Sequence, residues 1–171
     1  FINKKEFSFV VNSKLKKFDL IINMIHGSPG EDGEFAKYLN KLYIHNNSLT
    51  PDIARLTQDK FNCNMKAKSI GINTPNNIKL KNNNDLKLIY DKIKFPCFVK
   101  PNSGGSSIGI SKVNELKDLE NAVNIAFKED EIILIEEFIE GREFSVGAIE
   151  WKNKLKILPI TEIKTKNIFF D

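Results

Sequence analysis

FPCFVKPNSGGSSIGISKV, Phe95 to Val113, is the stretch on which the reading of the chain turns. Phe95 to Val99 is a short apolar run of strand length that delivers Lys100 and Pro101 into a loop of glycine and serine. A second short strand is expected from Ile108 to Val113. A lysine at the end of a buried strand, followed by glycines, suits a phosphate group. Glycines let backbone N–H groups approach an anion closely, and the ammonium adds a point charge. This is not a Walker loop. Gly104 and Gly109 have the required separation, but Ile110 stands where that motif needs lysine. There is no GxGxxG run, which weighs against a dinucleotide site. Spacing alone leaves two readings open, a phosphate cradle and a β-hairpin whose flexible tip holds glycines.

Toward the C-terminus, IILIEEFIEGREFSV runs from Ile132 to Val146. Its apolar strand ends in Glu136, Glu137, Phe138 and Ile139, so carboxylates and backbone amides lie beside hydrophobic surface. An adenine ring is satisfied by that mixture, which offers an acceptor for its amino group, a backbone donor and apolar walls. Glu143, after the Gly141 turn, has the length to reach ribose hydroxyls. The plainer alternative is an exposed acidic rim. Toward the N-terminus, HGSPGEDG (His26 to Gly33) follows an apolar run, Phe18 to Ile25. Strand ends of α/β sheets are where ligands bind. His26 is able to donate to a carboxylate or to exchange a proton near neutral pH, although a lone loop histidine is more often structural or solvated.

The rest of the chain alternates helix and strand. Phe35, Leu39 and Leu42 recur at helical spacing after the HGSPGEDG loop. Thr50, Pro51 and Asp52 form a helix start, with Ile53, Leu56, Phe61 and Met65 expected on its buried face and Gly71 as its end. Asn84 is expected to cap a helix carrying Leu86, Ile89, Tyr90 and Ile93. Asn114 is expected to cap another with Leu116, Leu119, Val123 and Phe127 inward. Phe144 to Trp151 and Leu155 to Ile163 read as two antiparallel strands joined at Lys152 to Lys154. The fold class is α/β, as a mixed α+β arrangement.

Composition narrows the class further. The chain has 171 residues, 41% hydrophobic and 28% charged, with a formal net charge of +4, which suits one domain or two small ones. Lys14, Lys16 and Lys17 are the densest basic cluster, and no basic stripe is interleaved with aromatic residues. Nucleic acid is therefore not the expected partner; an anionic small molecule or a solvated surface explains the lysines better. Cys63 and Cys97 lie far apart, with neither disulfide nor zinc spacing. No apolar stretch reaches bilayer length and no signal peptide opens the chain, so the expectation is a cytoplasmic protein without a membrane partner. The chain opens on Phe1 and closes on Asp171, and both ends read as cut from something longer.

Taken in order, these stretches resemble the D-alanine:D-alanine ligases of the ATP-grasp superfamily, along nearly the whole chain. HGSPGEDG is similar to the family's HGxxGEDG loop, and Gln58–Asp59–Lys60 falls where the family has a helix lysine. FVKP with GGSSIG is similar to its phosphate-covering segment, and IEEFIEGREF to its adenine hinge. LPITEI (Leu158 to Ile163) and the terminal Phe169–Phe170–Asp171 are similar to its run into a mobile loop. The resemblance implies that Lys60 and Lys100 hold ATP phosphates beneath the loop of Gly105, Ser106, Ser107 and Gly109. Glu136 would accept from the adenine amino group, Phe138 and Ile139 would line the base by backbone, Glu143 would bind the ribose, and Glu137 is counted with them among the ATP-binding residues. His26 and Glu31 would sit in the amino-acid pocket, with Ser106 orienting the first D-alanine, which makes His26 and Ser106 the residues nearest the chemistry. The implied reaction joins two D-alanines through an acylphosphate, for peptidoglycan synthesis. It uses Mg2+ or Mn2+ held by ligands expected beyond Asp171, and none is assigned within the chain. A homodimer is implied for the complete protein.

The implied organisation is a tail of a Rossmann-like N-terminal domain (1–48), a central ATP-grasp domain (49–147) and the first strands of a C-terminal ATP-grasp domain (148–171). Two features depart from the family. Gly104 and Gly105 replace bulkier residues common in relatives, and Asn46 to Thr50 lacks the Gly-Ser pair usual before the lysine helix. A chain of this extent is expected to be inactive alone. Two alternatives stay open, another ATP-grasp ligase of D-Ala:D-Lac or D-Ala:D-Ser type, and a non-catalytic nucleotide-binding remnant.

Overall fold

The protein is described from a computed structural model covering residues 2–164; Phe169–Phe170–Asp171 lies outside the described residues. The chain divides into two compact units, the first formed by 1–74 with 102–105 and the second by 75–101 with 106–171.

The first unit opens with an antiparallel hairpin of β1 (Ser8–Val11) and β2 (Lys14–Lys17). Asn12 and Ser13 turn it with φ of 50° and 61°, the left-handed pair that a two-residue turn between twisted strands requires. Phe9 and Phe18 pack at 4.6 Å between centroids, and Phe7 touches Phe18, Phe35 and Tyr38. These contacts tie the hairpin to α1 (Glu34–Lys41), whose buried residues are Ala36 and Leu39. The apolar run from Phe18 to Ile25 is mostly not strand. Only β3 (Leu20–Ile21) forms, paired in parallel with β4 (His45–Asn46), while Leu20, Ile22 and Met24 are exposed.

The single helix expected from Thr50 to Gly71 is two helices, α2 (Pro51–Gln58) and α3 (Lys60–Ser69). The break is Asp59, whose extended backbone (φ −84°, ψ 99°) stops one helix while its carboxylate accepts the Asn62 N–H and starts the next. Thr50 stands at the N-cap but makes no side-chain capping bond. The break also rotates the expected apolar face: Ile53 and Met65 are 47% and 52% exposed, and Ala54 is the buried residue of α2.

The second unit is built on a four-stranded sheet in the order β5-β8-β6-β7, comprising β5 (Asn77–Leu80), β6 (Cys97–Pro101), β7 (Ser111–Val113) and β8 (Ile133–Glu137). Its three pairings are antiparallel. Successive side chains in a strand point to opposite faces, so the register sorts the residues. Leu80, Cys97, Val99, Val113, Ile133 and Ile135 face the core with Leu119, Ala122, Val123 and Ala126 of α4 (Leu116–Ala126). The inward set of α4 is thus shifted from expectation: Leu116 is exposed and Phe127 only packs at the margin. No side chain caps α4; its N-cap position is Glu115, not Asn114. The segment expected to be an α-helix capped by Asn84 is a 3-10 helix, Asn83–Lys92, and its cap is Asn82, whose side chain accepts the Asp85 N–H. Leu86 is buried against the core, and Ile89, Tyr90 and Ile93 pack beside it. Among the described residues the C-terminal strands are four short ones. β10 (Ala148–Trp151) and β11 (Lys154–Ile157) pair across a turn at Lys152 and Asn153, and β9 (Glu143–Ser145) pairs with β12 (Thr161–Ile163).

Candidate functional site

The sheet face opposite α4 gathers charged side chains of the candidate site in the second unit. The register sets Lys79, Leu134 and Lys100 in one row and Asn77, Glu136, Phe98 and Lys112 in the next. Three lysines therefore share a face with one glutamate. Lys100 and Glu136 form an ion pair, with side chains only 18% and 10% exposed. Their pairing follows from the antiparallel β6–β8 register, which places them on neighbouring strands one step apart diagonally. Taking two charges out of water is costly unless each has a partner, so each group holds the other in place. Glu137, one residue on, points the other way. Its carboxylate accepts the Asn76 backbone N–H at 2.8 Å and the Asn76 amide at 3.0 Å, while its own N–H donates to the Asn76 carbonyl at 2.9 Å.

Beyond Glu137 the chain leaves the sheet. The Phe138 N–H donates to the Pro96 carbonyl at 3.2 Å, its ring lies 5.9 Å from that of Phe98, and the Lys112 ammonium sits 3.7 Å from its centroid. Ile139 is exposed, as is Glu143 on β9. The loop from β6 to β7 has left-handed backbone at Gly104, Ser106, Ser107 and Gly109. Only glycine fits at 109: φ is 73°, and a Cβ there would stand 2.8 Å from Glu129 Cγ and 2.9 Å from Pro101 Cγ.

In the first unit, Lys60 binds the early part of that loop. Its ammonium donates to the Gly104 carbonyl at 2.8 Å and the Asn102 carbonyl at 3.4 Å, and its backbone N–H donates to the Asn102 carbonyl at 3.1 Å. Asn102 is 2% exposed, and its side chain accepts the Phe61 N–H at 3.0 Å. The start of α3 and residues 102–104 are therefore one hydrogen-bonded piece.

His26 and Glu31 are also brought together. His26 Nδ1 lies 3.3 Å from Glu31 Oε2, which accepts the Gly27 N–H at 2.7 Å. A methyl built on Gly105 would stand 3.7 Å from His26 Cε1, so the ring lies beside the loop. Both side chains border an open depression of about 520 Å³. Asp32, between the lining residues Glu31 and Gly33, accepts the Ser28 hydroxyl at 2.5 Å and the Glu34 N–H at 3.0 Å. Burial pushes its carboxyl up, but these hydrogen bonds and the charge of Arg55 outweigh that and leave it below the usual value. Gly33 closes the loop with φ of 87°, where a Cβ would meet the Pro51 carbonyl oxygen at 2.6 Å.

Three residues of this arrangement are unmarked in the sequence reading: Asn102, Asn76 and Lys112. Asn102 had one signal, a polar residue directly after a buried strand and before glycines. The other two depend on strand register. Among the described residues no group of three or more His, Cys, Asp or Glu is placed to hold a metal ion, and no helix is long and apolar enough to cross a membrane.

Known proteins match both units. A family profile described as D-ala D-ala ligase C-terminus matches residues 67–171. D-alanine–D-alanine ligases of Flavobacterium johnsoniae and Azobacteroides pseudotrichonymphae are 41% and 42% identical, over 99% of this chain and 53% of each relative. Among solved structures, the VanG D-Ala:D-Ser ligase of Enterococcus faecalis superposes with a TM-score of 0.86 at 30% identity, over 99% of this chain and 50% of that one. The Helicobacter pylori D-alanine–D-alanine ligase gives 0.80 at 30% identity, over 92% and 50%. The chain thus spans about half the length of the curated relatives it matches. It shares the ATP-grasp fold of these neighbours. With the family profile covering well over half its residues, this chain belongs to the D-alanine–D-alanine ligase family.

Proposed function

We propose that this chain supplies the nucleotide-binding part of an ADP-forming ligase that joins two D-alanines for peptidoglycan synthesis. The observation that carries the proposal is the Lys100–Glu136 pair, 18% and 10% exposed, on the open sheet face where β6 runs into a glycine-rich loop. A polyphosphate is the anion that a lysine at a strand end beside glycine amides suits.

In this reading the γ-phosphoryl group passes from ATP to a carboxylate oxygen of the first D-alanine, giving ADP and an acylphosphate. The amine of the second D-alanine attacks the carbonyl carbon, the C–O bond to phosphate breaks, and the amine proton is released. No protein nucleophile is needed, so the protein's part is positioning and charge neutralisation. Lys100 holds phosphate oxygens, and Glu136 keeps its ammonium aimed at them. Lys60 adds a second cation while fixing Asn102 and Gly104. The N–H groups of Gly105, Ser106, Ser107 and Gly109 cover the phosphates. Glu136, Phe138 and Ile139 meet the adenine and Glu143 the ribose; Glu137 supports the same segment through Asn76. His26 and Glu31 meet the amino acid, and Ser106 orients the first D-alanine. A divalent ion of the kind the family uses would, when bound, supply charge neutralisation at the phosphates. The described residues provide no three-ligand cluster for it, and it is not assigned to this chain. The complete protein acts as a cytoplasmic homodimer.

The test is ATP-dependent phosphate release by the full-length protein with D-alanine. Lys100→Ala is expected to abolish it, and turnover at the parent rate would sink the phosphate assignment. Likeness to the D-Ala:D-Ser ligase favours a second reading in which D-serine is the second substrate. A panel of D-alanine, D-serine and D-lactate in the same assay separates the two.

A further inference from the structure

We propose that Lys112 is a positioning residue for the nucleotide, holding the Phe138 ring and, through it, the segment that meets the base. The proposal rests on the nucleotide-binding reading above.

Residues 139–142 are exposed and have no regular structure; Arg142 ties the far end of the segment to Glu162 at 2.8 Å, and the near end hangs from Phe138. The anchor is Phe138, on which three neighbouring strands converge. β8 leads into it, β6 contributes the Phe98 ring at 5.9 Å, and β7 contributes the Lys112 ammonium at 3.7 Å from the ring centroid. Lys112 and Phe98 are direct partners across β6–β7, so both contacts are set by one register. The Phe138 N–H is spent on the Pro96 carbonyl at 3.2 Å, which pins the backbone of the same residue. An ammonium over a ring face is attracted by the ring's quadrupole, more strongly once water is displaced. A base settling against residues 138 and 139 displaces such water. Lys112 therefore differs in role from Lys100, which shares its sheet face but pairs with a carboxylate.

The competing role is a further phosphate cation, and adenosine, which has no phosphate, separates the two. In the full-length protein, Lys112→Met keeps the stem and removes the charge. It is expected to weaken ATP and adenosine equally, by about threefold to tenfold, the factor a single cation–ring contact supplies. Lys112→Arg is expected to restore both. In a Phe138→Leu background, Lys112→Met is expected to add nothing further. Calorimetry with each ligand reads these outcomes. Loss of ATP affinity with adenosine unchanged would make Lys112 a phosphate contact and overturn the proposal, as would unchanged affinity for both or additive losses in the double variant. If the parent protein binds neither ligand, the nucleotide reading is what fails. The positioning role is then decided by amide exchange, where Lys112→Met must speed exchange at Phe138; unchanged exchange overturns it.

Discussion

Replacing Glu136 with alanine would leave the Lys100 ammonium without its carboxylate on a face where that side chain is only 18% exposed. Removing one member of a fully buried ion pair costs about 3–5 kcal/mol, because the survivor stays out of water uncompensated. Lys100 is not fully buried, and a lysine stem allows its head to move toward solvent. The expected loss is therefore smaller, about 2–3 kcal/mol, which is roughly 5–10 °C in melting temperature for a protein of this size or somewhat larger. Thermal melts and urea titrations of the full-length protein measure it. The double variant Lys100→Met/Glu136→Leu removes both charges and fills the same volume with apolar atoms. It should recover most of the loss, since apolar replacement of a buried pair is often neutral. The cycle thus expects a coupling of more than about 1 kcal/mol between the two positions. A Glu136→Ala variant within about 0.5 kcal/mol of the parent, or a double variant as unstable as the sum of its singles, would refute the claim that each charge is held by the other.

Gly109→Ala should destabilise by about 1–3 kcal/mol in the same melts, because the left-handed φ and the close approach to Pro101 and Glu129 both exclude a Cβ; a neutral result would mean that the loop rearranges freely. Asp32 predicts a pH dependence. Its carboxyl lies below the ordinary 3.8 in the folded protein, so its contribution is complete above that value and disappears as pH falls through the depressed one. Asp32→Asn should lower the melting temperature near neutral pH, with the gap to the parent closing below pH 3.8; a gap that widens in acid would contradict this. Burial pushes the Cys97 thiol up to about 11. A thiol reagent at pH 8 should label half-buried Cys63 and spare Cys97 until the protein unfolds, and equal native-state rates would place Cys97 outside the core.

Periodicity exposed the second unit better than the first. The strand around Val99 and the one around Leu134 are short apolar runs bounded by glycine, proline or charge, and such runs have few other ways to fold. The helix carrying Leu119 and Val123 was also plain, although Ala122 and Ala126 took the inward positions expected of Leu116 and Phe127. Alanine permits close approach of helix to sheet, which a reading weighted toward large side chains overlooks. In the first unit, Asp59 belongs to a helical pattern by spacing but ends one helix and caps the next. Local hydrogen bonding by a short polar side chain defeated the period there. The run from Phe18 to Ile25 shows the opposite error. Its apolar composition suited a strand, yet only two residues find a partner, because pairing depends on a neighbouring strand and β4 is two residues long.

The candidate site divides along the same physical line. Lys100, Glu136 and the glycines of the loop were legible because each is a local departure from pattern, a charge at the end of an apolar run or a glycine where a side chain was due. What they do to one another was not legible. Glu136 and Glu137 are adjacent acids with the same local context, and nothing in their order says which turns toward lysine. Strand alternation decides it: Glu136 falls on the face of Lys100, and Glu137 falls on the face of Cys97, where Asn76 takes up its carboxylate. A shift of one residue in the β6–β8 register would exchange their roles. The same dependence explains Lys112, which reads as one lysine among many until register sets it opposite Phe98 and within reach of the Phe138 ring. Residue type named the candidates here, and antiparallel register assigned their partners. Substitutions that preserve residue type but disturb β6–β8 pairing should therefore damage this face as severely as removing Lys100 itself.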